Sequence, residues 1–419
     1  MLNIAGVHAW EILDSRGSPT IAVQVELSNG VRATAKVPSG ASTGAHEAHE
    51  LRDGDPARYG GKGVRRAVRN IVEILGPALR AQDAEDQAAI DARMIELDGT
   101  RNKSGLGANA ILGVSCAIAR SMAKARRIPL WERLRGSRTA TIPVPMVNIL
   151  SGGLHAAKNF EFQDFLVIPR GFAAFSAALE ATVQVHAEVR KLLGERGCIL
   201  TGVADEGGWG PFLKSNEAAL QILTEAIERC GHDMAIAIDV ASSHFHANGN
   251  YRLASEGRTL TGADLTSLLD DWSARYPIVS IEDGLAEDDW EGWRLLTARL
   301  GSRVQLIGDD LFATNPERLE RGILEEAANA VLVKMNQIGT LTETFQVVDR
   351  AGEAGYRAVI SARSGETEDD FLADLAVATG AGQIKVGSVT RSERLAKYNR
   401  LLAIEAGPDA PPYADLLGQ

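Results

Sequence analysis

Short apolar runs alternate with longer amphipathic stretches in the second half of the chain. The runs are rich in β-branched residues and read "MAIAI", "PIVSI", "VQLI", "AVLV", "RAVI" and "GQI". Each is followed by a stretch with helical periodicity, such as "LTSLLDDWSAR" or "NPERLERGILEE". This alternation predicts parallel β-α units, and six of them would fill most of a (β/α)8 barrel. A doubly wound open sheet is the alternative, which periodicity alone does not exclude.

The first part of the chain has a different pattern. The alternating segment "SPTIAVQVELSNGVRATAKV" contains an "SNG" turn and predicts a β-hairpin. A loop rich in small residues, "PSGASTGAHEA", follows it, and Ala-, Leu- and Arg-rich helical stretches come next. We therefore predict a small α+β domain at 1–135 and a second domain at 136–419, with the boundary in the polar, proline-bearing stretch "LRGSRTATIPVP".

Composition and charge narrow the class of protein. The chain of 419 residues is 45% hydrophobic and 24% charged, which is ordinary for a soluble globular protein. Its net charge is -11 and its basic residues are dispersed, so neither a nucleic acid nor an anionic membrane surface is expected as the main partner. The three cysteines form no CxxC pair, and no signal peptide or membrane-spanning run is evident. We expect a cytoplasmic protein.

A polar residue stands at the C-terminal end of each apolar run. These residues are Asp239, Glu282, Asp309, Lys334, Arg363 and Lys385. In a parallel barrel such positions converge on the mouth where active sites are built. Three carboxylates from consecutive strand ends would repel one another in a partly buried mouth unless a cation lay among them. Ligands that are all oxygen favour Mg²⁺, so we predict a magnesium site.

Lys334 is the candidate general base. It directly follows "AVLV", where burial near cations would lower its pKa towards the range of a base. The alternative is a structural lysine paired with one of the acids at the mouth.

Three loops supply further candidates. "VADEGGWGP" carries Glu206 before two glycines, "SGGLHAAKNFEFQDF" carries His155, Gln163 and Asp164, and "PSGASTG" carries Ser42 and could close over the site. A plain turn, a loop with a satisfied histidine and a flexible linker are the respective alternatives. Together, a divalent metal, a lysine base and an acidic pair suit removal of a proton next to a carboxylate, followed by loss of a β-substituent.

Ordered motifs over nearly the whole chain resemble the enolase family. They include "ILDSRGSPT", "VPSGASTG", "DEGG", "SIEDGLAEDDWEGW", "GDDL", "VKMNQIGT", "RSGET", "GQIKVGS" and "RSERLAKYN". The resemblance implies an N-terminal α+β domain that caps an enolase-type (β/α)8 barrel whose first strands and helices are irregular. It also implies a homodimer or higher homo-oligomer, and a small phosphorylated or phosphono carboxylic acid as the substrate.

The resemblance also implies a role for each site residue. Asp239, Glu282 and Asp309 would hold one Mg²⁺, and Ser42 would reach a second Mg²⁺ that arrives with the substrate. The catalytic residues would be Lys334 as the base, Glu206 as the acid that helps the β-hydroxyl leave, and Asp164 as the partner of Glu206. The substrate-binding residues would be His155, Gln163, Arg363, Ser364 and Lys385.

The sequence departs from the family pattern on one side of the pocket. Ala362 stands where a histidine is expected, and Asp164 stands where a glutamate is expected. Further departures are Ser151, Lys158, His244 and Gly284. Three hypotheses follow: a lyase acting on a 2-phosphoglycerate-like acid, a paralogue acting on a phosphono substrate, similar to carboxyphosphonoenolpyruvate synthase, and a non-catalytic scaffold. The retained lysines and carboxylates favour the first over the last.

Overall fold

The computed structural model describes residues 2–40 and 44–415. Its N-terminal part is an antiparallel sheet packed against helices. The strands are β1 (Ile4–Leu13), β2 (Pro19–Leu27) and β3 (Arg32–Lys36). The helices are α1 (Arg65–Asn70), α2 (Gly76–Leu79), α3 (Gln87–Asp98), α4 (Ala108–Arg126) and α5 (Leu130–Arg135), with a π-helical turn between α1 and α2. β2 and β3 pair on either side of the "SNG" turn, which confirms the predicted hairpin.

The rest of the chain forms a closed barrel. Its strands are β4 (Val144–Ser151), β5 (Asp164–Pro169), β6 (Met234–Asp239), β10 (Ile278–Glu282), β11 (Gln305–Gly308), β12 (Ala330–Val333), β13 (Arg357–Ser361) and β14 (Gln383–Gly387). A small separate sheet contains β7 (His246–Ala247), β8 (Asn250–Leu253) and β9 (Arg258–Leu260). β14 pairs with β4, so the sheet closes and is not doubly wound.

One barrel strand breaks the parallel pattern. β5 runs antiparallel to both β4 and β6, whereas the remaining pairs of neighbouring barrel strands are parallel. This confirms the enolase-type barrel with an irregular beginning. The outer helices are α6 (Phe175–Glu195), α7 (Asn216–Cys230), α8 (Gly262–Arg275), α9 (Trp290–Leu300), α10 (Pro316–Leu324), α12 (Leu341–Glu353), α13 (Phe371–Thr379) and α14 (Ser392–Glu405), with a short α11 (Met335–Ile338) after β12.

Alternation along the strands builds two apolar layers. In β12, Ala330 and Leu332 belong to the cluster inside the barrel, whereas Val331 and Val333 belong to the layer between the strands and the helices. Both faces of the strand are therefore buried, which explains why the sequence of each run is almost continuously apolar. In β12 the first polar side chain, that of Lys334, therefore comes directly after the strand ends at Val333.

The N-terminal part docks near the C-terminal ends of the barrel strands. Ser39 and Gly365 exchange backbone hydrogen bonds of 2.7 and 2.9 Å, and Gly365 lies shortly after the end of β13. Lys103 also forms an ion pair of 2.9 Å with Glu343 on α12. Within the described ranges, no helix combines the length and the apolar character needed to cross a membrane.

Candidate active site

The strand ends and two loops line one narrow pocket, with a cavity volume of about 20 Å³, at the C-terminal mouth of the barrel. Its lining residues are His155, Gln163, Glu206, Asp239, Asp309, Lys334, Ser361, Ala362, Arg363, Ser364, Lys385 and Val386. Most of the residues predicted from the sequence are therefore brought together. Glu282 and Asp164 are buried just behind this lining, and Ser42 lies outside the described residues.

A larger cavity of about 440 Å³ opens at the opposite end of the barrel. It is lined by residues such as Ile168, Arg357 and Tyr413, and contains none of the predicted site residues. Size alone therefore does not identify the site, because the titratable groups are concentrated at the other end.

Lys385 joins two of the predicted metal ligands. Asp239 and Glu282 are opposite each other on the paired strands β6 and β10. The Nζ atom of Lys385 donates to Asp239 Oδ2 at 2.8 Å and to Glu282 Oε2 at 2.7 Å. Burial by itself lowers the pKa of Lys385, but the two carboxylates raise it well above its usual value. Lys385 is thus a fixed cation in the pocket wall.

Lys334 lies against Asp309. Its Nζ atom is 2.5 Å from Asp309 Oδ2, and Gln337 Nε2 donates to the other oxygen at 3.1 Å. Burial lowers the pKa of Lys334, but the charge of Asp309 raises it more, so the net direction is upward. The lowered pKa expected from the sequence is therefore wrong for this arrangement, because an anion and not a cation is the nearest charged group.

The acidic residues at the mouth fit a divalent cation in their donor chemistry. Burial and the neighbouring charge of Asp239 raise the pKa of Glu282 well above its usual range, and Asp309 adds to this rise. A cation would relieve this repulsion, and carboxylate oxygens are the ligands that Mg²⁺ prefers.

The closest acidic grouping differs from the predicted one. Among the described residues, Asp309 has ligand atoms within 4.8 Å of those of Asp283 and Asp310, whereas Asp239, Glu282 and Asp309 do not form such a group. The carboxylate of Asp283 accepts hydrogen bonds from the backbone N–H groups of Asp309 and Asp310 at 2.9 and 2.8 Å. Asp283 therefore fixes the turn that carries Asp309.

His155, Asp164 and Glu206 form a second cluster. Asp164 Oδ2 lies 2.8 Å from His155 Nδ1, and the other ring nitrogen is 3.8 Å from Glu206 Oε1. Burial lowers the pKa of His155, but Asp164 and Glu206 raise it to about 9. The ring is therefore an imidazolium at neutral pH, which cannot ligate a metal, and it places positive charge beside Glu206.

Asp164 is held away from the pocket. Its Oδ1 atom accepts from Asn148 Nδ2 at 2.5 Å and from Ser151 Oγ at 2.9 Å, and the residue is fully buried. Ser151 is itself one of the departures from the family pattern. Among the residues that the structure describes, Asp164 is linked to Glu206 through His155, which makes Asp164 an orienting group in this geometry.

Gly207 shapes the turn beside Glu206. It has φ = +90°, and a Cβ there would lie 2.6 Å from Thr390 Oγ1, so only glycine allows this turn.

Arg394 supports both Glu206 and the loop after β13. It is fully buried and donates to the carbonyl oxygens of Arg363 and Ser364, each at 2.6 Å. Its guanidinium also lies 4.0 Å from Glu206.

Ala362 is buried in the pocket wall between these groups. Its N–H donates to the carbonyl of Lys385 at 2.9 Å, and its side chain reaches only to Cβ. The polar group that a histidine would supply at this position is therefore absent from this wall.

Several residues of the site were not singled out from the sequence. Glu47 accepts two hydrogen bonds from Arg363, Gln337 contacts Asp309, and Asn148 contacts Asp164. Glu47 and Gln337 lie inside the motifs "PSGASTGAHEA" and "VKMNQIGT", in which Ser42 and Lys334 are the candidates predicted from the sequence. Arg394 lies in "RSERLAKYN" in the same way.

Comparisons with known proteins agree with this geometry. Residues 4–134 match the family model described as "Enolase, N-terminal domain", and residues 139–413 match "Enolase, C-terminal TIM barrel domain". A protein of Rubrobacter xylanophilus named enolase is 53% identical over 409 residues, which cover 97% of this chain and 95% of that protein. The chain therefore belongs to the enolase family and is an enolase-superfamily lyase.

Proposed function

We propose that the protein converts 2-phosphoglycerate to phosphoenolpyruvate and water in a Mg²⁺-dependent reaction. The observation that carries this proposal is the placement of two ammonium groups, that of the buried Lys385 and that of the partly buried Lys334, in one pocket with Glu206. One ammonium can pair with the substrate carboxylate while the other exchanges a proton with the α-carbon. Family membership supports the Mg²⁺ dependence.

The metal ligands are part of the proposal. Asp239, Glu282 and Asp309 would hold the first Mg²⁺, and Ser42 would contact a second ion that arrives with the substrate. Bound Mg²⁺ would stabilise the negative charge that develops on the substrate carboxylate, and its charge beside Asp309 would favour the neutral amine of Lys334.

Lys334 and Lys385 carry the first half of the reaction. Lys385 pairs with the substrate carboxylate and keeps it oriented. The neutral amine of Lys334 takes the proton from the α-carbon, and the electron pair of the broken C–H bond moves towards the carboxylate. Arg363 and Ser364 bind the phosphoryl group, and Gln163 lines the same pocket.

Glu206 carries the second half. As the electron pair returns to form the double bond, the C–O bond at the β-carbon breaks and the hydroxyl leaves as water with a proton delivered by Glu206. Burial raises the pKa of Glu206, but the charges of His155 and Arg394 lower it, so Glu206 would receive this proton from the neighbouring His155 imidazolium. His155 lies beside Glu206, and Asp164 fixes the ring through Nδ1. Asp164 therefore acts on Glu206 through His155.

A second candidate substrate is a phosphono carboxylic acid. The observation that favours it is Ala362, which leaves a short apolar side chain in the pocket wall next to Arg363. A substrate with a bulkier or differently placed acidic group would contact this wall. An enzyme acting on such a substrate would use the same metal ligands and the same proton transfers. It would differ from a 2-phosphoglycerate lyase only in the substrate that fits against Ala362.

A direct ultraviolet assay for phosphoenolpyruvate tests the proposal. Wild type, Lys334→Ala and Ala362→His are compared with 2-phosphoglycerate and Mg²⁺. Robust wild-type turnover that Lys334→Ala abolishes is the expected result. Negligible wild-type turnover that Ala362→His partly restores would contradict it and favour the phosphono substrate.

Family analogy supports the remaining assignments. We propose a cytoplasmic protein that forms a homodimer or a higher homo-oligomer and has neither a nucleic acid nor a membrane as its partner. We also propose domains at 1–135 and 136–419, since α5 ends at Arg135 and β4 begins at Val144. Size-exclusion chromatography with light scattering tests the oligomeric state.

A further inference from the structure

An acidic residue of the N-terminal part contacts a residue that lines the pocket of the barrel. Glu47 accepts hydrogen bonds from Arg363 Nη1 at 2.9 Å and from Arg363 Nη2 at 3.2 Å. The side chains of Arg363 and Glu47 are only 3% and 8% exposed. Such a bidentate pair fixes both the position and the plane of a guanidinium, and burial shields it from solvent.

The same carboxylate contacts a second group of the site. Gln337 Nε2 donates to Glu47 Oε1 at 3.3 Å and to Asp309 Oδ1 at 3.1 Å. Gln337 Oε1 accepts from Thr314 Oγ1 at 2.6 Å, so the orientation of the amide is fixed. Glu47 therefore joins the arginine on one side of the pocket to a predicted metal ligand on the other.

A third hydrogen bond adds to the alignment of Arg363. Its Nη1 atom also donates to Asn336 Oδ1 at 3.1 Å. Glu47 and Asn336 together therefore hold the guanidinium beside the pocket wall. A buried arginine without this carboxylate would adopt other orientations and would carry an uncompensated charge.

We propose that Glu47 is a positioning residue that aligns Arg363 for the phosphoryl group and, through Gln337, holds Asp309 for the metal. The inference rests on the proposed function, because it assumes that Arg363 binds the anion and that Asp309 binds Mg²⁺. The site is consequently shared between the two parts of the chain, and the barrel alone lacks one of its supports.

The test compares Glu47→Ala, Glu47→Gln and Glu47→Asp with a matched control. Glu343→Gln serves as the control because it breaks another ion pair between the two parts of the chain, that of Lys103 and Glu343, outside the pocket. The measurements are KM for 2-phosphoglycerate, the half-saturating Mg²⁺ concentration, and the Kd of inorganic phosphate in the presence of Mg²⁺.

Glu47→Ala is expected to raise KM and the phosphate Kd about tenfold and to raise the half-saturating Mg²⁺ concentration several-fold. Glu47→Gln should change all three in the same direction by less, Glu47→Asp should restore part of the loss, and Glu343→Gln should stay within about twofold of wild type. A merely structural role would reduce the folded fraction and therefore the apparent kcat, while KM and both binding constants would stay constant.

Unchanged KM, phosphate Kd and Mg²⁺ dependence in folded Glu47→Gln would overturn the inference, whether or not Glu47→Ala folds. The two proposals also fail separately. A wild-type protein that makes no phosphoenolpyruvate but binds phosphate contradicts the proposed function, and the phosphate titrations still decide the role of Glu47. A wild type that binds no phosphate with Mg²⁺ present contradicts the role of Glu47 as well.

Discussion

The ammonium group of Lys334 lies 2.5 Å from a carboxylate oxygen of Asp309. This contact places the proposed base directly on a proposed metal ligand, at the ends of the adjacent strands β12 and β11. Their charges are therefore coupled, and any cation bound by Asp309 acts on the proton of Lys334. The proposed metal site and the proposed base are therefore parts of one electrostatic unit.

Lys334→Met should lower kcat for phosphoenolpyruvate formation by roughly 10²–10⁴-fold, because it removes the proposed proton acceptor. The variant keeps the apolar stem of the side chain but leaves the buried Asp309 without its ammonium partner, so we expect a folded protein with a lower free energy of unfolding. Stopped-time product assays and circular dichroism measure the two effects. Retention of substantial turnover by a folded Lys334→Met would exclude Lys334 as the base.

Magnesium should stabilise the folded protein through the carboxylates at the mouth. At a concentration 100 times its Kd, a ligand that binds only the folded state adds about 2.7 kcal/mol to the free energy of unfolding. Thermal unfolding with Mg²⁺ and with a chelator measures this increase. Glu282→Gln should respond less, because one proposed ligand has lost its charge. Equal shifts in both proteins would argue against Glu282 as a ligand.

The sequence predicts the strand ends of this site well and its supporting contacts poorly. Asp239, Glu282 and Asp309 follow apolar runs that are buried on both faces, so the end of each run marks the mouth without any knowledge of the partner strands. The repetition of such units predicts parallel β-α architecture, whereas closure of the sheet depends on the pairing of β14 with β4, which periodicity does not indicate. The resemblance implies only that the first strands are irregular, and the periodicity of "QDFLVI" does not reveal that β5 is antiparallel.

Contacts between distant segments carry no comparable local pattern. Glu47 meets Arg363 across more than 300 positions of the chain, and nothing in "GAHEA" indicates that partner. The pKa of Lys334 depends on which neighbour is nearest, an anion or a cation, and that is a property of packing. Asp164 was assigned next to Glu206, but its oxygens are bonded to Asn148, Ser151 and His155 instead.

Arg394→Met should destabilise the protein strongly. The guanidinium is fully buried and donates to the carbonyl oxygens of Arg363, Ser364 and Val386. The apolar replacement leaves these three carbonyl groups without that donor, and each buried unsatisfied group costs about 1–3 kcal/mol. We expect a loss of roughly 3–5 kcal/mol in the free energy of unfolding, measured in urea. A loss below about 1 kcal/mol would show that the loop after β13 does not depend on Arg394.

His186 should make folding stability depend on pH. Its ring stacks on Trp209 with centroids 4.7 Å apart, and the residue is 6% exposed. Burial lowers the pKa of His186 from 6.5 to about 4, and a hydrogen bond with the backbone of Gly207 offsets only part of this effect. The ring is therefore neutral in the folded protein at neutral pH, when it is also mostly neutral in the unfolded chain.

As the pH falls below the unfolded pKa of 6.5, the unfolded chain takes up a proton at His186 that the folded protein does not accept until about pH 4. The contribution of His186 to the free energy of unfolding is thus fully present above the pKa of the unfolded chain and is lost as the pH falls towards the pKa of the folded protein. The loss is about 2 kcal/mol between about pH 7.5 and about pH 5. Urea unfolding of wild type and His186→Leu at several pH values measures this, because all other titrating groups are common to both proteins. As the solution is acidified, the free energy of unfolding of wild type should fall by that amount relative to that of His186→Leu. A constant difference between the two proteins would show that His186 has the same pKa in the folded and the unfolded state.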